Sequence, residues 1–88
     1  VNKIKIENPY LLIVKYNDIS IENSIEHVVA ESSQKHTIKS KSVMPGDDFE
    51  ITYEIRVKES DLGFINNISD MESVKSAVML SYDGNFTA

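Results

Sequence analysis

The chain has 88 residues, with 9 lysines and arginines against 14 aspartates and glutamates, a formal charge of −5, and no cysteine. The absence of cysteine excludes a disulfide framework, a thiolate zinc site and a cysteine nucleophile, and the acidic balance argues against nucleic acid as the main partner. The longest apolar run, Tyr10 to Val14, is too short to cross a bilayer. These properties predict one soluble domain.

The first residues differ in character from the rest. Residues 1–9, VNKIKIENP, alternate apolar and basic side chains and end at a proline, and the chain starts with Val1 rather than Met. We therefore expect residues 1–9 to be a linker from a preceding region of a longer protein, and residues 10–88 to be a single domain.

The run YLLIVKY, Tyr10 to Tyr16, predicts the first strand, since Asn-Pro precedes it and Asn-Asp follows it.

A helical period begins at Ser20. Apolar residues then recur at the i, i+4, i+7 and i+8 positions of one stripe, which predicts an amphipathic helix capped by Asp18 or Ser20 and ending near Lys35 or His36. The stripe consists of Ile21, Ile25, Val28 and Val29.

Two alternating segments follow, HTIKSKSVM from His36 to Met44 and FEITYEIRV from Phe49 to Val57. They predict a hairpin whose four-residue loop runs from Pro45 to Asp48. In that register Met44 lies opposite Phe49, and Lys39 lies opposite Glu54 as a cross-strand charge pair on the polar face. The inward side chains of the first hairpin strand are then Ile38, Ser40, Ser42 and Met44.

A second helix is predicted from Asp61 to Met71, and a last strand from Val74 to Tyr82. The order β-α-β-β-α-β is that of the ferredoxin-like fold, an α+β arrangement with a four-stranded antiparallel sheet and two helices on one face.

The open face of this sheet is predicted to carry an apolar patch on the first and last strands. The residues that alternation turns outward there are Leu11, Ile13, Ala77 and Met79. Exposed apolar surface of this kind marks a contact site. We predict either a weak homodimer or partner interface, or an intramolecular contact in which residues 1–9 cover the patch.

The second half of the chain carries two motifs, FEITYEIRVKESD and FINNISDMESVKSAVMLSYDGNF. They resemble the C-terminal tail of a bacterial family of small polytopic membrane proteins of unknown function, distantly similar to the magnesium transporter C-like proteins. The resemblance implies an ACT-like fold and a regulatory or oligomerisation domain at the cytoplasmic side of the inner membrane. Two departures are Glu72-Ser73, where the family pattern has a glycine, and the absence of a membrane helix.

An ACT-type sensing domain for a small molecule or metal is the alternative function. ACT-like domains hold ligand near the first strand-to-helix loop, which here offers Tyr16, Asn17, Asp18 and Ser20 but lacks the usual glycine. His27 and Glu31 have the i, i+4 spacing of a metal-ligand pair on the first helix, and His36 follows near its end. A metal site is not predicted, because no third convergent ligand is identifiable.

Catalysis is not predicted, and no cofactor is expected. The chain has no nucleophile elbow and, with 3 glycines, no glycine-rich loop that cradles phosphate. An acylphosphatase-like enzyme on this fold would need an arginine in its phosphate loop, whereas Arg56 is predicted in mid-strand on the polar face.

Overall fold

The computed structural model describes residues 7–58 and 62–81. The strands are β1 (Glu7–Tyr16), β2 (Lys35–Met44), β3 (Asp48–Lys58) and β4 (Val74–Ser81), and the helices are α1 (Glu22–Ser32) and α2 (Phe64–Ser69), with a 3-10 turn over Ile19–Ile21. The strands form one antiparallel sheet in the order β2-β3-β1-β4. The predicted α+β class and ferredoxin-like topology are confirmed.

One face of the sheet and both helices enclose the hydrophobic core. The fully or nearly buried side chains are Leu12, Val14, Tyr16, Ile25, Val29, Ile51, Tyr53, Ile55, Val57, Phe64 and Ile68. In β1 and β3 these residues occupy alternate positions, because successive strand side chains point to opposite faces. No helix among the described residues is long and apolar enough to span a membrane.

The ends of the elements differ from the predictions in places. Strand β1 begins at Glu7, so it includes the last residues of the predicted linker, while residues 1–6 lie outside the described residues. Helix α1 ends at Ser32, because the chain from Lys35 onward pairs with β3. Helix α2 is shorter than predicted, and its predicted start and the predicted end of β4 lie outside the described residues.

The predicted hairpin register is wrong, because β2 contains a bulge. Ile38 pairs with Tyr53 but Ser40 pairs with Thr52, so Lys39 is an extra residue between them. The loop is also shorter, since Met44 pairs with Asp48 across Pro45, Gly46 and Asp47. The side chains beyond the bulge change faces as a result: Lys41 and Val43 lie on the helix side of the sheet, and Ser40, Ser42 and Met44 on the open face.

A second bulge, in β4, reverses the faces that were predicted for the side chains of this strand. Tyr16 pairs with Val74 but Lys15 pairs with Ser76, so Lys75 is the extra residue. Ala77 and Met79 therefore lie opposite Val14 and Leu12 and pack against the core rather than facing outward. The open face instead receives Val78 and Leu80, which are paired with Ile13 and Leu11.

Candidate functional site

The open sheet face has an apolar half formed by β1 and β4. Leu11 lies opposite Leu80, and Ile13 lies opposite Val78, so the four side chains are neighbours on one surface. Val78 is 44% exposed and Leu80 is 47% exposed, while Leu11 and Ile13 are partly buried between the flanking strands. We call these four residues the apolar patch.

The sequence predicted two members of this patch and missed two. Leu11 and Ile13 lie where they were expected, whereas Ala77 and Met79 belong to the core side. Val78 and Leu80 were missed because the run from Ala77 to Leu80 is apolar at every position. Such a run has no polar residue to show which face is solvated. The bulge at Lys75 determines which of its side chains lie on the open face. Whether the patch is an interface stays a prediction.

The other half of the open face is polar and belongs to β2 and β3. Two ion pairs lie on the open face, and both are made by the bulge lysines. Lys39 Nζ lies 3.5 Å from Glu54 Oε1, and Lys75 Nζ lies 3.0 Å from Asp48 Oδ1, reaching from β4 across β1 to β3. The predicted Lys39–Glu54 pair therefore exists although its register differs. The two bulges thus place compensating charges beside the apolar patch.

The polar groups of the predicted ligand loop between β1 and α1 bond to one another and to neighbouring residues of the chain. Asp18 Oδ1 accepts hydrogen bonds from the Ser20 backbone N–H at 3.0 Å and from the Ser20 hydroxyl at 2.8 Å. The Asn17 N–H donates to the Ser73 carbonyl at 3.0 Å, and the Tyr16 hydroxyl donates to Glu22. The hydrogen bonds from the Ser20 backbone and hydroxyl lower the pKa of Asp18. The loop therefore uses these groups to begin the helical segment, and its ligand role stays a prediction.

A row of charged and phenolic groups joins α1 to the sheet. Glu22 and Glu26 lie one helical turn apart. Each accepts a hydrogen bond from a tyrosine hydroxyl of the sheet and contacts a basic side chain of β2. Tyr53 donates to Glu26 Oε1 at 2.9 Å, and His36 Nε2 lies 2.8 Å from Glu26 Oε2. Lys41 Nζ lies 2.8 Å from Glu22 Oε2. We call these contacts the glutamate seam.

The contacts of the glutamate seam shift the pKa values of its tyrosines and glutamates. Burial, followed by the hydrogen bond to the glutamate, raises the pKa of both Tyr16 and Tyr53. The His36 hydrogen bond is the largest cause that lowers the pKa of Glu26. Burial pushes the pKa of Glu22 upward, but the bonds from Lys41 and Tyr16 outweigh it. Phenols held protonated and carboxylates held ionised favour a structural connection over proton transfer at neutral pH.

His27 and Glu31, considered as metal ligands from their spacing, form an exposed pair on α1. His27 Nε2 lies 3.4 Å from Glu31 Oε2, and both side chains are 69% exposed. Among the described residues, no group of three histidines or carboxylates comes together as a metal site would require. His36, the third residue considered, is bound to Glu26 instead.

Fold and surface together define a small α+β domain of ferredoxin-like topology, with an open sheet face that is half apolar and half charged. No protein-family model matches this chain, and no curated protein matches it.

Proposed function

We propose that this chain is a non-catalytic association domain that acts through the apolar patch, by self-association or by contact with a partner protein. The observation that carries the proposal is the exposure of Val78 and Leu80 beside Leu11 and Ile13 on a face that neither helix covers. Contiguous apolar surface on a small domain is costly in water and is retained where another surface packs on it.

The size of the patch limits the strength of this contact. Full burial of a large aliphatic side chain stabilises by about 1.5–3 kcal/mol. All four residues of the patch are already partly covered, so their remaining burial contributes about 2–5 kcal/mol per face. Association costs an estimated 4–15 kcal/mol. The isolated domain should therefore associate weakly.

Attachment to a membrane would make such a weak contact effective. The resemblance of the second half of the chain to tails of bacterial polytopic membrane proteins supports a place on the cytoplasmic side of the inner membrane. Tethered copies share a high effective concentration, which converts a weak contact into a populated one. On this proposal the domain has a regulatory or oligomerisation role in its parent protein.

Sedimentation equilibrium over a concentration series tests the proposal. The variant Leu80→Glu places a charge within the patch. Val43→Glu is the matched control, because Val43 is 67% exposed on the helix side of the sheet. We expect a weak dimer whose dissociation constant rises at least tenfold in Leu80→Glu and stays unchanged in Val43→Glu.

Two results contradict self-association through the patch. One is a monomer at every concentration up to about 1 mM, which corresponds to a contact weaker than about 4 kcal/mol. The other is a dimer that Leu80→Glu does not weaken. In the first case, the same variant pair in a pull-down from the parent organism distinguishes a partner protein from no contact at all.

A further inference from the structure

A shallow depression lies on the polar half of the open sheet face, between β2 and β3. Its lining consists of Lys35, Thr37, Lys39, Glu54 and Arg56. Lys35 and Arg56 are direct partners in the β2–β3 ladder, and Thr37 and Glu54 form the next pair. Directly opposite side chains in such a ladder have Cβ atoms about 4.5–5.5 Å apart. The depression therefore has two cations side by side at one end.

Within the part of the chain that the structure describes, no carboxylate pairs with the two cations at this end of the depression. Like charges directly opposite each other destabilise a sheet. Lys39 is neutralised by Glu54 at 3.5 Å, but among the described residues neither Lys35 nor Arg56 forms an ion pair. Glu54, the carboxylate opposite Thr37 in the ladder, is already paired with Lys39. An anion bound between Lys35 and Arg56 would remove their mutual repulsion.

The net charge of the chain does not indicate a site for anions. The chain carries a formal charge of −5, yet the glutamates of α1 lie on the other side of the sheet, where Lys41 and His36 bind two of them. At the physiological Debye length of about 8 Å, an anion at the depression responds mainly to its lining. Local charge, rather than net charge, then decides what binds there.

We propose that Lys35, Thr37 and Arg56 bind a phosphate group. A guanidinium matches two phosphate oxygens with paired N–H donors, a lysine ammonium supplies a second positive charge, and the Thr37 hydroxyl donates to a further oxygen. A phosphate monoester carries a charge of about −1.5 to −2 at neutral pH, which balances the charges of Lys35 and Arg56. A single carboxylate would leave one of them unbalanced.

Two sources present such a group, a free phosphate compound and a phospholipid headgroup. Leu11, a member of the apolar patch, lies directly opposite Glu54 across the β1–β3 ladder. The proposed phosphate site and the apolar patch are therefore adjacent on one open face. The experiment has one arm for each source.

The first arm is a titration of the isotope-labelled domain with sodium phosphate, followed by backbone amide shifts and compared with sodium chloride of equal ionic strength. We expect saturable shifts at residues 35–37 and 54–56. Arg56→Gln and Lys35→Gln should each raise the dissociation constant at least fivefold. Lys15→Gln is the control, because Lys15 is an exposed lysine on the same open face at the other end of the sheet and its loss should change the constant less than twofold.

The second arm is co-sedimentation with phosphatidylcholine vesicles, with and without phosphatidic acid. Saturable binding of phosphate without vesicle binding assigns a free phosphate compound, and vesicle binding that Arg56→Gln abolishes assigns a headgroup. No saturable response in either arm overturns the proposal, as does an equal loss in Lys15→Gln. The sedimentation equilibrium of Leu80→Glu does not involve these residues, so the two proposals fail independently.

Discussion

The substitution Met79→Glu tests the bulge at Lys75 most directly. The alternation of the sequence alone turns Met79 outward, where a glutamate would be harmless, whereas the structure packs Met79 against the core opposite Leu12. Replacing it loses part of the 1.5–3 kcal/mol that burial of a methionine contributes, about 1–2 kcal/mol. It also desolvates a carboxylate beside the core, which costs about 1–3 kcal/mol. We therefore expect a loss of about 2–5 kcal/mol.

That loss is large for a chain of this size. At about 0.05–0.15 kcal/mol per residue, 88 residues give a total stability of about 4–13 kcal/mol. Urea denaturation followed by circular dichroism measures the effect. With a slope of about 2 kcal/mol per M, the midpoint should fall by about 1–2.5 M.

Leu80→Glu is the matched control for this measurement, since it changes the next residue to the same side chain on the opposite face. Leu80 is 47% exposed, so we expect this variant to lose less than about 1 kcal/mol. Equal losses in the two variants, or a larger loss in Leu80→Glu, would refute the reasoning and restore the unbulged alternation.

Two further predictions concern the turn and the glutamate seam. Gly46 has a φ of +86° and Gly63 has ordinary helical geometry, and neither has a heavy atom within 4 Å of an added Cβ. In urea denaturation we therefore expect Gly46→Ala to lower the free energy of unfolding by about 1–2 kcal/mol and Gly63→Ala to raise it by about 0.4–1 kcal/mol. The reverse order would contradict the turn geometry. The pKa of Glu26 is lower in the folded chain than in the unfolded one, so its contribution to stability is present above the ordinary glutamate pKa of about 4.3 and is lost as pH falls through the folded-state value. A urea midpoint measured from pH 6 to pH 3 should fall less steeply in Glu26→Gln than in the unaltered chain, and parallel curves would exclude this role.

The sequence predicted the buried face of a strand correctly where apolar and polar residues alternate along it. In β3 the apolar Phe49, Ile51 and Tyr53 alternate with polar residues, and the structure buries those same positions partly or fully. The run Ala77 to Leu80 is apolar throughout, and the segment from Lys39 to Ser42 is polar throughout. In both runs either face satisfies the pattern equally well, so one extra residue changes which side chains are buried without violating it. The Lys41–Glu22 contact of the glutamate seam was missed for the same reason, because the bulge turns Lys41 toward α1.

The two bulges decide the surface chemistry of this domain. Each is occupied by a lysine, Lys39 in β2 and Lys75 in β4, and both strands are edges of the sheet. A bulged lysine on an edge strand hinders pairing with another strand, so each bulge protects an edge while its ammonium group binds a carboxylate of β3. The bulge in β4 also turns Val78 and Leu80 onto the open face. Both the proposed association and the proposed phosphate site lie on that open face, away from the two edges.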